Sequence, residues 1–449
     1  MQPANLANGE RGFRSSPIFS AAWSVWALLV GMAFLTLGNG LQGTLLGVRA
    51  AAENFGSTVT GFVLTGYFVG FLLGSRIALK TIRRVGHLRV FAAATSMASL
   101  AILVQSLFVD PFIWGVMRII SGYCLASSYI VAESWLNDRV TNQHRGGLLA
   151  VYMVITLFGM AGGQLLLLTG SPADYDLFII CSALITFAAV PILLSITPQP
   201  VPEKAESLSI ANLYSISPLG FVGTFGAGLM QGAIYSMGAV YAHNAGLSNS
   251  QTSLFMFSLI AGAALMQWPI GKLSDHVDRR KVIAALALFG AIMPVIGGLM
   301  FNLGPDFLIA SASLIGVGPL LLYSLFLAYT NDYLRPEQFV AAGSGLILVF
   351  GSGAVLGPPV TGMVMDSFGS QSFLWFLAIG QALLFAFALY RMTQRETVPV
   401  EEQTVFPGAP VRTASLAPAI AEWVQAQSDD DTEGTAPAEQ QLEREAAEI

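Results

Sequence analysis

The chain has 449 residues, 54% of them hydrophobic and 11% charged, where a soluble globular protein carries about 25% charged residues. Mean hydropathy is +0.65, and the apolar residues come in runs of roughly twenty, the length that crosses a bilayer as a helix. A large soluble core is excluded, and an all-α integral membrane protein is expected. The formal charge of −6 is uneven: residues 392–449 hold 12 acidic and 3 basic residues, which leaves residues 1–391 at net +3. The acid excess belongs to a tail and not to a binding surface, and no nucleic-acid partner is expected. Cys124 and Cys181 fall in apolar runs and read as small buried hydrophobes without a disulfide.

Residues 1–20 read as a polar cytoplasmic arm with Arg11 and Arg14, not as a cleavable signal peptide. Twelve spans follow, at about 22–47, 58–79, 90–108, 112–133, 147–169, 177–197, 218–242, 252–272, 282–301, 306–330, 340–364 and 372–391. A polar linker at 198–216, with Pro198, Pro200, Pro202, Glu203, Lys204 and Glu206, divides a first bundle (21–197) from a second (217–391). The tail, 392–449, is rich in Pro, Ala, Glu, Gln and Asp and is expected to be disordered. Within it, 413–427 reads either as a short amphipathic helix on the membrane or as plain flexible chain.

Lys and Arg set the orientation. With the amino terminus inside, the inner loops hold Lys80, Arg83, Arg84, Arg89, Arg139, Arg145, Lys204, Lys272, Arg279, Arg280, Lys281 and Arg335, and the outer side holds Arg49. This positive-inside bias puts both termini in the cytoplasm of a multi-pass protein of the inner (plasma) membrane.

The halves repeat each other. At a spacing of 194, Gly122 meets Gly316, Tyr129 meets Tyr323, Asn137-Asp138 meets Asn331-Asp332, Gly159 meets Gly353 and Gly163 meets Gly357. A highly charged turn, Gly271 to Lys281, has a weaker copy 197 residues earlier in Gly74, Arg76, Lys80, Arg83 and Arg84. Two pseudo-symmetric six-helix bundles are expected, with a pathway at their interface.

Span four carries charge inside the membrane. Arg118, Gly122, Ala126, Tyr129 and Glu133 fall within about an 80° arc of one helix. An Arg inside a span faces protein or water, so Arg118 is either a substrate or proton-coupling site or a packing residue bonded to helix carbonyls. Gly122 leaves room for its guanidinium to fold against a neighbour. Glu133 lies about 22 Å along the helix from Arg118, with Arg145, Arg83 and Arg84 nearer to it. It reads as an inner latch, made and broken as the cavity closes and opens, or as a static salt bridge worth little. Asp275 with Arg279 and Arg280 is the corresponding latch of the second half. Polar residues in apolar spans are candidate cavity lining: Asn39, Gln42, Tyr67, Tyr152, Gln231, Tyr235, Gln267 and Tyr323, with Tyr129 on the Arg118 stripe. Gly159-x-x-x-Gly163 and Gly353-x-x-x-Gly357 let helices approach closely. His87, His144 and His276 read as solvated loop residues and His243 as an outer-end residue able to sense pH; no pair has metal-ligand spacing. No hydrolase, nucleotide-binding or metalloprotease motif is present, so neither an enzyme nor a cofactor is expected.

The turn Gly271-x-Leu273-Ser274-Asp275-x-x-Asp278-Arg279-Arg280-Lys281 is similar to the loop signature of the major facilitator superfamily, and Arg118-x-x-x-Gly122 resembles the span-four motif of its proton-coupled members. Glu133-Ser134-Trp135-Leu136 with Arg145-Gly146-Gly147 and Gly159-x-x-x-Gly163-Gln164 resembles the bacterial YcaD-like subgroup. The resemblance, over residues 22–391, implies the major facilitator fold and alternating access by two rocking bundles. In the first loop no Asp follows Gly74, so an inner gate there leans on Glu133. The expected function is secondary active transport of a small solute by a monomer in the bilayer, as proton-coupled export. Proton-coupled uptake and a receptor or scaffold signalling through the acidic tail are the alternatives.

Overall fold

A computed structural model of the chain describes residues 25–138, 142–194, 210–335, 338–395, 397–400, 403, 404 and 406. The amino-terminal arm, Arg139, Lys204 and the stretch 413–427 lie outside the described residues, as do the side chains of His144 and Arg145. Among the described residues every regular element is a helix, the form that satisfies backbone polar groups within one segment in hydrocarbon. The first half comprises α1 Trp26–Ala52, α2 Ser57–Val85, α3 His87–Leu107, α4 Pro111–Asp138, α5 Asn142–Leu165, α6 Asp176–Phe187 and α7 Ala189–Leu194. After α8 Ile210–Ile216, the second half follows with α9 Pro218–Asn244, α10 Asn249–His276, α11 Arg279–Phe301, α12 Pro305–Ile315, α13 Val317–Asn331, α14 Phe339–Phe368 and α15 Ser372–Met392.

Two spans are each built from two α-helices, and the α5 span closes with a 3-10 turn, Leu166–Thr169. The breaks fall at Ala188 and Gly316, where Pro191 and Pro319 have no N–H to offer the carbonyls of Phe187 and Ile315. Counted this way, 11 spans among the described residues are long and apolar enough to cross a bilayer. The twelfth is α9, 27 residues long but diluted by glycines and Gln231.

The halves are internally alike. Helix α1 packs on α5 as α9 packs on α14; α2 on α4 as α10 on α12 and α13; α3 on α6 as α11 on α15. Between the halves, α2 meets α14 and α10 meets α5, a pair of contacts that the repeat exchanges, and α1 meets α9 on the axis. Small residues make the close approaches. A Cβ on Gly159 or Gly163 would strike α1, and one on Gly353 or Gly357 would strike α9. Apolar side chains such as Phe62, Leu100, Phe158, Leu265 and Leu383 point outward and are exposed, as a lipid-facing surface requires.

The charged turns are shorter than the sequence suggests. Helix α10 runs through Asp275 to His276 and α11 begins at Arg279, so only Val277 and Asp278 connect them. The Asp278 carboxylate caps α11 by accepting from the Arg280 backbone N–H at 3.0 Å. In the first half one residue, Gly86, separates α2 from α3, and its φ of +91° is open to glycine at little cost. The helices overrun the expected limits because only the central twenty or so residues need be apolar; the charged turns beyond them continue the helix into water.

Candidate functional site

The end of the bundles that carries Arg83, Arg84, Arg279 and Arg280 is here the basic face, and the opposite end the far face. On α4, Arg118 is only 4% exposed, and its guanidinium lies over the Tyr67 ring of α2 at 4.6 Å from the centroid. Such a cation–π contact is worth up to ~2 kcal/mol when desolvated. The Asn39 amide of α1 donates to the Tyr67 hydroxyl at 3.4 Å and to the Tyr129 hydroxyl at 3.3 Å. Gln42, one turn on, donates to Ser121 at 3.4 Å. Gly122 serves a different purpose from the one its position suggests. Its missing Cβ admits the Tyr67 carbonyl of α2, and Gly70 does the same for Ile119, so the room is taken by a neighbouring backbone and not by the guanidinium.

This polar knot borders a small chamber that includes Asn39, Thr44, Tyr67, Arg118, Gln164 and Ser236 in its wall. Beside it, between the halves and midway along the spans, is a larger chamber, with about 980 Å³ of empty space when the open solvent at its mouth is counted. Tyr67, Phe68, Phe71, Tyr235 and Phe350 give it an aromatic wall, and Gln231, Gln267, Thr156 and Ser324 are its polar points. On the far side of both chambers the halves are joined. The Asp366 carboxylate of α14 accepts from the backbone N–H of Ser57 at 3.0 Å and of Thr58 at 2.8 Å, at the start of α2. Thr65 bonds to the Val355 carbonyl, and the Ser253 hydroxyl of α10 donates to the Gln164 carbonyl of α5 at 2.6 Å. Gly61 and Gly362 let α2 and α14 touch through backbone at Pro358 and Ser57.

At the basic face the second half holds a buried ionic cluster. Arg279, 1% exposed, donates to both Asp332 oxygens at 2.5 and 2.7 Å and to Asp275 at 3.2 Å. Arg280 pairs with Asp278 at 3.0 Å and not with Asp275. Burial lifts the Asp332 carboxyl above the usual range, against the opposing pull of Arg279 and Thr404. At Asp278 burial also pushes upward, but the Arg280 hydrogen bonds outweigh it and hold the carboxyl below the usual range.

Chain beyond the last span completes the cluster. Thr404 donates through its N–H at 2.9 Å and its hydroxyl at 2.8 Å to Asp332, and its carbonyl accepts from Arg279 at 2.6 Å. The Phe406 N–H donates to Asp275 at 2.8 Å while its ring fills the space that Gly271 leaves open. Disorder from residue 392 is therefore corrected for these residues: a short strap folds back onto the charged turn, because the buried Asp332 and the partly exposed Asp275 need more donors than one Arg supplies.

Other expectations fare variously. His87, expected to be solvated, is buried at the start of α3 with Nε2 2.9 Å from the Ser134 hydroxyl. Glu133 is 1% exposed and accepts from the Tyr152 hydroxyl of α5 at 3.3 Å, while Arg83 and Arg84 are exposed.

The Major Facilitator Superfamily family model matches residues 28–218 and 220–428. The chain belongs to the major facilitator superfamily. Among curated relatives, the uncharacterized MFS-type transporter YcaD of Escherichia fergusonii is 28% identical over 378 residues, covering 84% of this chain and 97% of its own. YcaD of Escherichia coli O9:H4 (strain HS) is 27% identical with the same coverage. A mutant of the nucleoside transporter NupG superposes with a TM-score of 0.70 at 12% identity, over 82% of this chain and 99% of that one. A bacterial homolog of the human lysosomal transporter Spinster, inward-facing and unoccupied, superposes at 0.64 with 14% identity, over 91% and 97%. These likenesses support the superfamily fold, and with the family they make the chain a secondary transporter.

Within that superfamily frame, Tyr67, Gln231, Tyr235 and Gln267 border the large chamber, and Asn39, Tyr67, Arg118 and Tyr235 the small one. Gln42, Tyr129, Tyr152 and Tyr323 are buried behind these walls, with Tyr323 edge-on to Phe350. Gln231 also has a packing duty: its amide donates to the Pro319 and Leu320 carbonyls just past the α12–α13 break. Sequence reasoning overlooked Phe68, Phe71, Met160 and Phe350 in the chamber wall. Tyr67, Phe68 and Phe71 recur at helical spacing on α2, but an aromatic stripe facing a cavity reads the same as one facing a core.

Proposed function

We propose that this transporter exports a small solute from the cytoplasm in exchange for protons, by alternating access, as a monomer. The observation that carries the proposal is a mid-depth chamber between two exchangeable halves joined on its far side, with a buried Arg at its edge. The basic face is taken as cytoplasmic, from the positive-inside bias. The aromatic wall favours a solute that enters from the cytosolic side with an apolar part to bury. Arg118 is the binding or coupling charge. Glu133, hydrogen-bonded to Tyr152, is the carboxylate within α4 whose protonation alters the contact between α4 and α5. No catalytic step or cofactor enters this scheme.

The test starts with a thermal-shift screen of the purified chain against metabolites and drugs. Its hits are then followed across proteoliposomes under a pH gradient of either sign. Flux that rises when protons run against the solute is expected, and Arg118→Ala is expected to abolish it while the variant elutes as a folded monomer in detergent. Flux indifferent to the gradient removes proton coupling. Flux that rises with protons and solute moving together reverses the direction. Full activity in Arg118→Ala removes Arg118 from the mechanism.

A further inference from the structure

We infer that the solute is an amphipathic organic anion, with an aromatic or aliphatic body in the large chamber and one carboxylate-like group turned into the small chamber toward Arg118. The two chambers share four wall residues, Tyr67, Phe68, Met160 and Tyr235, so one molecule can lie in both. Their chemistry is divided. Among the described residues, the wall of the large chamber contains no Asp, Glu, Lys, Arg or His, and the nitrogen of one of its two amides, Gln231, is committed to backbone carbonyls. A charge placed there would lose its water with little return, whereas an apolar ring loses nothing.

In the small chamber the balance reverses. Among the described residues, Arg118 is the one ionisable group there besides tyrosines, and no carboxylate lines either chamber. Three of the neighbouring polar side chains already have partners. Thr44 bonds to Gln164, the Gln164 amide donates to the Gly40 carbonyl at 2.9 Å, and Asn39 donates to the two tyrosines. What this chamber offers a ligand is thus positive potential in a desolvated setting, which attracts an anion and repels a cation. The stacking of Arg118 on Tyr67 orients that charge at the wall both chambers share. A cationic drug or a polyol fits neither compartment: the first meets like charge, and the second meets a wall poor in donors and acceptors.

This inference rests on the transporter reading for its meaning, but its test is a binding measurement that does not need flux. Four probes separate ring from charge: naphthoate, its neutral isostere naphthamide, naphthylmethylammonium and acetate. Titration calorimetry on the full chain in detergent is expected to give naphthoate at least tenfold tighter than naphthamide, with no binding of the ammonium or of acetate. In Arg118→Gln, naphthoate should fall to the level of naphthamide while naphthamide is unchanged, which also reports a folded variant. Phe350→Ala should weaken both to a similar degree. If Arg118→Gln does not fold, the order of the probes on the wild type decides alone. Equal affinity for acid and amide, preference for the ammonium, or no binding of any ring probe overturns the inference. A cationic or neutral solute that is bound and carried in proteoliposomes overturns it while leaving the transporter reading intact. Tight naphthoate binding with no flux of any bound solute does the reverse.

Discussion

Arg279 shows how a cation is kept in an almost dry place. Two carboxylates and a carbonyl surround it, and each carboxylate also accepts from the strap. Removing one partner from such a pair leaves an uncompensated buried charge, at a cost of ~3–5 kcal/mol. Asp332→Ala is therefore expected to lower the unfolding temperature in detergent sharply, and Asp332→Asn to cost less because it still accepts from Thr404. The two titrating carboxyls act in opposite senses. Asp332, raised by burial, favours the fold below the ordinary carboxylate range and loses that contribution as pH rises through its folded value. Asp278, held low by Arg280, favours it above about pH 4 and loses the contribution as pH falls through its folded value. The stability gap between wild type and Asp278→Asn should thus be steady near neutrality and close on acidification below about pH 4, read from unfolding midpoints across pH.

Among the elements, the strap after α15 is the one the hydrophobic pattern does not announce. It joins the last span to the α10–α11 turn through Thr404 and Phe406, and Arg395 adds a stack on Tyr333 at 3.8 Å and a bond to the Ile216 carbonyl at 2.8 Å. All of these partners belong to the second half or to α8 before it. In this arrangement the cluster that the sequence reads as a latch between states bonds within its own half and the strap, and no described bond carries it across to the first half. Chains ended at residue 396 and at residue 407 separate the strap from the acidic tail. The shorter is expected to unfold at a lower temperature than the full chain and the longer to match it. A scaffold signalling through its tail would instead lose its output in both.

Over the whole molecule, the far-face contacts of α2 with α14 and of α5 with α10 close one side of the pathway. Alternating access requires them to part. Cysteines in place of Thr58 and Asp366, whose backbone and side chain meet at 2.8 Å, should crosslink on oxidation and hold the halves in this arrangement. Solute flux in proteoliposomes is expected to stop on oxidation and return with reductant. The native Cys124 and Cys181 are buried and do not compete.

The sequence by itself determined the membrane class, the helical spans and the duplicated halves, because hydrocarbon admits few backbone solutions and a repeat leaves matched glycines in one register. It also marked Arg118 and Arg279, since a charge beside or inside an apolar run needs a reason. Only the tertiary structure decided which polar residues reach a cavity. Tyr67 and Tyr323 look equivalent along the chain, yet one borders both chambers and the other is edge-on to Phe350 behind them. It decided too that Gly122 makes room for a backbone, that His87 is buried on Ser134, and that Phe406 docks 135 positions away on Gly271. Each of these depends on which surfaces of distant helices meet, and the period of one helix records only which of its own residues share a side.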